Sequence, residues 1–121
     1  MAARYRRLGH GRRRQHEGID VAANRGSPVK AARSGHIIYA DNKLSGYGRM
    51  VIVRHADAFT TVYAHLSEFA VKKGQFVSRG QLVGKVGRTG RASNYHLHFE
   101  VRNDKRAVDP LLYLEKRIAS N

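Results

Sequence analysis

The 121-residue chain contains no cysteine, only 2 prolines, and no apolar run approaching the roughly 20 residues that span a bilayer. Without cysteine there are neither disulfides nor thiolate ligands, so any metal must be held by His, Asp or Glu. Scarce proline beside 12 glycines points to tight turns rather than an extended disordered tail. The first residues lack the apolar stretch that follows the basic head of a signal peptide, so the chain as written is expected neither to insert into a membrane nor to carry its own export signal. Acidic residues are few as well: 9 Asp and Glu against 23 Lys and Arg give a formal net charge of +14.

That charge implies an anionic partner. Nucleic acid, acidic lipid and anionic cell-wall polymer all meet the demand, because net charge governs association rather than chemistry. Residues 1–14 hold Arg4, Arg6, Arg7, Arg12, Arg13 and Arg14 with no acid. We therefore read residues 1–15 as a basic arm and 16–121 as the folded domain, a length that suits a single core. Few apolar residues and no periodicity leave the arm without a packed structure of its own. A nucleic-acid-binding β domain would interleave aromatics with basic residues on a strand face. Aromatics make up only 8% of the chain and form no such run, so no specific nucleic-acid partner is expected.

From Gly18 onward, short β-branched and aromatic segments alternate with glycine-bearing turns, which predicts an all-β domain. The strand-sized segments are 19–23, 28–32, 36–40, 49–55, 59–66, 82–86 and 96–102. One short C-terminal helix is expected, with Asp109 as its N-cap and Pro110 at the first helical position.

The histidines carry the chemistry. Period-two alternation puts His96, His98 and Glu100 on one face of a strand and Leu97 and Phe99 on the other, so the polar face offers half of a metal site or simply a solvated surface. In His16-Glu17-Gly18-Ile19-Asp20, four extended residues would cover roughly 13 Å, too far to share an ion whose ligands lie about 2 Å away. A shared ion requires a bend there, and Gly18 supplies the freedom for it. His65 ends a run in which alternation places Thr61, Tyr63 and His65 on one face and Val62, Ala64 and Leu66 on the other. His10, His36 and His55 lack partner spacing and are assigned to the arm, the surface or structural hydrogen bonds.

Taken in order, His16-x-x-x-Asp20, Tyr63-Ala64-His65-Leu66, and Thr89-Gly90 followed by His96-Leu97-His98-Phe99-Glu100 resemble the motifs of the lysostaphin-type, or LytM-domain, zinc metallopeptidases. The likeness extends through Gly26 to Ala31, Gly46-Tyr47-Gly48, the glycine-rich stretch 71–87, and Val108-Asp109-Pro110. It implies a single-domain antiparallel β-sheet enzyme of barrel-sandwich type that holds one Zn²⁺ with His16, Asp20 and His98 and uses His65 and His96 as catalytic histidines. Three protein ligands leave a coordination position for water, whose pKa the metal lowers toward about 7.

The implied substrate is peptidoglycan, cleaved at peptide bonds of its stem peptides or cross-bridges. Location in the cell envelope, periplasmic or extracellular, follows from that substrate, and anionic envelope polymers become the partners for the positive charge. A monomer is the favoured state. The competing expectation is a catalytically silent domain of the same type that binds the wall or activates a partner amidase. Against it, all five expected positions are filled. Ser93-Asn94-Tyr95 departs from the small residues usual in the family before the His-Leu-His strand. Asn94 is expected to take left-handed backbone angles in place of glycine, and Tyr95 to alter the groove rim.

Overall fold

The computed structural model describes residues 18–103, together with the backbone of two strands beyond them. The ten strands are β1 (Arg4–Arg7), β2 (Ile19–Ala22), β3 (Pro28–Lys30), β4 (Gly35–Asp41), β5 (Arg49–Arg54), β6 (Phe59–Phe69), β7 (Phe76–Val77), β8 (Leu82–Val86), β9 (His96–Asn103) and β10 (Arg106–Val108). They form a single antiparallel sheet whose main path runs β1-β2-β9-β6-β5-β4-β7, with β10 beside β9 and β8 joining β6 to β3. The all-β architecture is thus as expected, and no helix occurs among the described residues. The C-terminal helix expected from Asp109 onward lies outside them.

Valine and isoleucine dominate the buried positions, which suits a pleated surface because β-branched side chains are already restricted in χ1. The main core gathers Ile19, Ile37, Val51, Val53, Tyr63, Phe99 and Val101, among others. A second cluster of Met50, Val62 and Ala64 packs under Tyr39, Tyr47 and Ile52. Burying each such aliphatic side chain is worth about 1.5–3 kcal/mol, so these two clusters hold β5, β6 and β9 rigidly together.

Two local expectations are corrected. The backbone of Arg4–Arg7 pairs with β2 from Arg4 opposite Ala22 to Arg7 opposite Ile19, so part of the arm joins the sheet. An edge strand needs only backbone donors and acceptors along an open template, which side-chain periodicity does not reveal. Asn94 is not left-handed, since Ala58 and His65 are the non-glycine residues with positive φ among those described. Tyr95 packs against the main core, with the Arg88 guanidinium 5.0 Å from its ring centre.

Register positions the site. Asp20 lies opposite His98 across β2 and β9, and Ala64 lies opposite His98 across β6 and β9. Directly paired residues project to the same face, so Asp20, His98 and Ala64 form one row.

Candidate active site

Gly18 leads into β2 at φ +111°, a backbone angle that glycine adopts freely. The chain there also passes close to β9: a Cβ at Gly18 would lie 2.7 Å from Glu100 Cγ, and closer still to the Phe99 carbonyl oxygen. On β9 the expected alternation is realised. Phe99 and Val101 enter the main core with Leu97 against them, while His96, His98 and Glu100 line a cleft of about 420 Å³.

His65 departs from its expected face. Tyr63 belongs to the main core and Ala64 to the second cluster, yet Leu66 rejoins Tyr63 in the main core, so alternation is broken between them. The break is His65 itself, whose φ of +64° turns its side chain out of strand order and into the cleft. Its ring centre comes within 5.0 Å of His96 and 6.0 Å of His98. Left-handed backbone costs a β-carbon residue about 1–2 kcal/mol, and neighbouring contacts hold it there. The His65 N–H donates to the Tyr47 carbonyl at 2.9 Å, and Nδ1–H donates to the Thr89 carbonyl at 2.7 Å.

Thr89 is braced in turn. Its hydroxyl donates to the Leu66 carbonyl at 2.8 Å and accepts the Arg49 N–H at 3.0 Å. The loops carrying Tyr47 and Thr89 approach so closely that a Cβ on Gly90 would stand 2.5 Å from the Gly48 nitrogen.

Burial is the largest influence on His65, and it lowers the imidazole pKa. The nearby His96 and His98 act in the same direction and the Thr89 hydrogen bond opposes them. His65 is therefore neutral at neutral pH, with Nδ1–H committed to Thr89 and Nε2 carrying the lone pair. His96 donates Nδ1–H to the Asn94 carbonyl at 2.9 Å and holds Nε2 3.5 Å from Asp20 Oδ1.

His98 sits between two carboxylates, with Nδ1 3.0 Å from Asp20 Oδ1 and Nε2 2.8 Å from Glu100 Oε2. Burial disfavours its charge, but the hydrogen bonds to Asp20 and Glu100 outweigh burial and raise its pKa to about 9. Burial raises the Asp20 pKa and the interactions with His98, His96 and His65 overcome it, leaving it below the usual carboxylate value. Glu100 is lowered likewise, burial being outweighed by His98 and Arg102.

Asp20, His65, His96 and His98 thus meet in one cleft. His16, the remaining expected ligand, lies outside the described residues, and among those described no three metal-ligating side chains already stand in a ligating arrangement. Asp20 and His98 are nevertheless side-chain types that zinc takes as ligands, side by side in one cleft. Two ligands of a tetrahedral ion at about 2 Å lie roughly 3.3 Å apart, close to the 3.0 Å between Asp20 Oδ1 and His98 Nδ1. The other His98 nitrogen rests on a buried carboxylate, the usual support of a metal-bound imidazole.

His55 is buried, its ring nitrogens 2.8 Å from the Ser34 carbonyl and 2.8 Å from the Thr61 hydroxyl, and His36 is exposed against Phe76; both have the structural or surface roles expected. Sequence reasoning assigns no task to Tyr47, Thr89 or Arg102. The only local sign of the first two is the pair of glycine-bearing segments Gly46-Tyr47-Gly48 and Thr89-Gly90.

Comparison with known proteins agrees with the geometry. Residues 14–110 match the description Peptidase family M23. The chain is 40% identical over 101 residues to the Murein hydrolase activator NlpD of Escherichia coli, covering 84% of this chain and 26% of that protein. It spans no more than 39% of the length of the first curated relatives it matches. The catalytic domain of lysostaphin from Staphylococcus simulans superposes with a TM-score of 0.78 at 37% identity, over 83% of this chain and 79% of that one. A zinc containing peptidase from Vibrio cholerae superposes with a TM-score of 0.74 at 34% identity, over 86% of this chain and 35% of that one. Fold, motif order and matched length together make this chain a member of peptidase family M23.

Proposed function

We propose that this chain is a zinc-dependent endopeptidase that hydrolyses peptide bonds in the stem peptides or cross-bridges of bacterial peptidoglycan. The observation that carries the reading is the convergence of His65, His96, His98 and Asp20 on one open cleft, with His65 held there by a left-handed backbone. Proteins do not maintain strained non-glycine residues in polar clefts without compensation, and such residues cluster at functional sites.

His16, Asp20 and His98 would hold the metal, which when bound supplies Lewis-acid polarisation of a carbonyl and acidifies water. The remaining steps belong to the protein. Neutral His65, with Nδ1–H fixed on Thr89, offers Nε2 as the proton acceptor. His96, with Nδ1–H on the Asn94 carbonyl, can take up at Nε2 the proton that the attacking water gives up and then pass it to the leaving amine. Residues 16–121 form the catalytic domain in this reading. The basic arm over 1–15 adds attraction to anionic polymers of the cell envelope, where the chain acts.

A second reading is favoured by one finding: a relative 40% identical is named a murein hydrolase activator. In that case the domain would engage the wall or a partner amidase without cleaving. Zinc content after metal-free purification and reconstitution, measured with release of new amino termini from purified peptidoglycan, separates the two. The endopeptidase reading expects one zinc per chain, loss of zinc chiefly in His98→Ala, and loss of cleavage with zinc retained in His65→Ala. Stoichiometric zinc with no new termini, alongside stimulation of an added amidase, would establish the activator instead.

A further inference from the structure

Glu100 is a carboxylate that the proposed mechanism does not use. It is only 2% exposed, and an unpaired buried charge costs several kcal/mol, so its retention beside the cleft depends on its partners. Oε2 accepts from His98 Nε2 at 2.8 Å and from the Tyr47 hydroxyl at 3.3 Å, while Oε1 accepts from Arg102 Nε at 2.7 Å. Arg102 also donates to the Tyr47 hydroxyl at 3.3 Å. Its neighbour across the sheet, Val62, offers no competing polar group.

We propose that Glu100 is a positioning residue for metal binding, which fixes the His98 ring so that Nδ1 is presented beside Asp20, and that Tyr47 and Arg102 hold Glu100 for that task. The proposal rests on the zinc reading above. An ionised carboxylate only accepts hydrogen bonds, so the His98 nitrogen facing it must carry the proton. In the neutral ring that a metal requires, the lone pair is then on Nδ1, the atom 3.0 Å from Asp20 Oδ1. Arg102 offsets the charge of Glu100, so the contribution is directional rather than a change in the net charge of the site. Tyr47 braces both halves of the cleft, since its hydroxyl meets Glu100 and its carbonyl accepts the His65 N–H.

The test is zinc affinity, measured by competition with a chromophoric chelator, for the parent chain, Glu100→Ala, Glu100→Gln and Tyr47→Phe. Each is compared with urea stability of the metal-free protein and with the absorption spectrum of the cobalt(II)-loaded form. Glu100→Ala should bind zinc about 10–100-fold more weakly, as losses of such supporting partners do, and should alter the cobalt spectrum. Glu100→Gln preserves shape but has one acceptor oxygen to satisfy both His98 and Arg102, so a loss of about 3–10-fold is expected. If Glu100→Ala fails to fold, the Gln variant decides the question. Tyr47→Phe should lose less than either.

A parent that binds zinc while the Glu100 variants bind it within twofold, with an unchanged cobalt spectrum, would overturn this inference and leave the zinc reading intact. A parent that binds no zinc would overturn both. Zinc bound without peptidoglycan cleavage would defeat only the endopeptidase reading.

Discussion

Gly18→Ala isolates the backbone device that brings Asp20 to His98. At φ +111°, alanine pays roughly 1–2 kcal/mol for left-handed backbone, partly offset by about 0.4–1 kcal/mol from a stiffer unfolded chain. The new Cβ would also lie 2.7 Å from Glu100 Cγ, against the about 3.5 Å of a relaxed carbon pair. The start of β2 must therefore retreat from β9 by roughly 0.8 Å, and crowding of this kind typically costs a further 1–3 kcal/mol. Gly74 is the control, because it has φ +93° and an added Cβ there would meet nothing within 4 Å.

The expected stability losses are about 1 kcal/mol for Gly74→Ala and about 2–4 kcal/mol for Gly18→Ala, read from urea midpoints of the metal-free proteins. Zinc affinity should fall at least tenfold only in Gly18→Ala, since Asp20 lies two residues along the displaced strand. Equal stability losses for the two variants, with zinc affinity unchanged, would refute the reasoning.

Three further outcomes are expected. In the metal-free protein the depressed Asp20 and Glu100 pKa values contribute stability above their unfolded values of about 4 that is lost as pH falls through the lower folded values. His98, raised to about 9, contributes fully below its unfolded value of about 6.5 and loses that contribution as pH rises through about 9. Buried His65, whose pKa is lowered, adds a loss of its own as pH falls below about 6.5, so the urea midpoint should be highest near pH 6.5 and decline on both sides, and His98→Asn should remove the alkaline decline. His65→Gly should be more stable than His65→Ala by about 1 kcal/mol, because only the alanine retains the left-handed cost; equal urea midpoints would contradict this. Thr89→Val, which leaves the Leu66 carbonyl and Arg49 N–H without the hydroxyl, should cost about 1–3 kcal/mol and lower cleavage with zinc content unchanged, as seen by denaturation and metal analysis together.

Much of the site is legible in the sequence because strand alternation is a local rule. His96, His98 and Glu100 share a face as their spacing requires, and Gly18 takes the positive φ for which its lack of a side chain suits it. Alternation puts His65 on the wrong face because it assumes extended backbone, and the left-handed φ of this residue is imposed by the Tyr47 and Thr89 carbonyls, distant in sequence. The arm strand is hidden from side-chain periodicity for a related reason, since its pairing with β2 is made by backbone groups common to every residue.

The amino-acid sequence by itself determined the all-β class, the order and identity of the zinc-site and catalytic candidates, and the family, since each is written in residue type and short spacing. Tertiary structure alone decided which way His65 turns, which nitrogen of His98 meets Asp20, and that Glu100 lies behind the cleft with Tyr47 and Arg102. Those outcomes depend on hydrogen bonds between residues as far apart as Tyr47 and Glu100, brought together only when the strands pair.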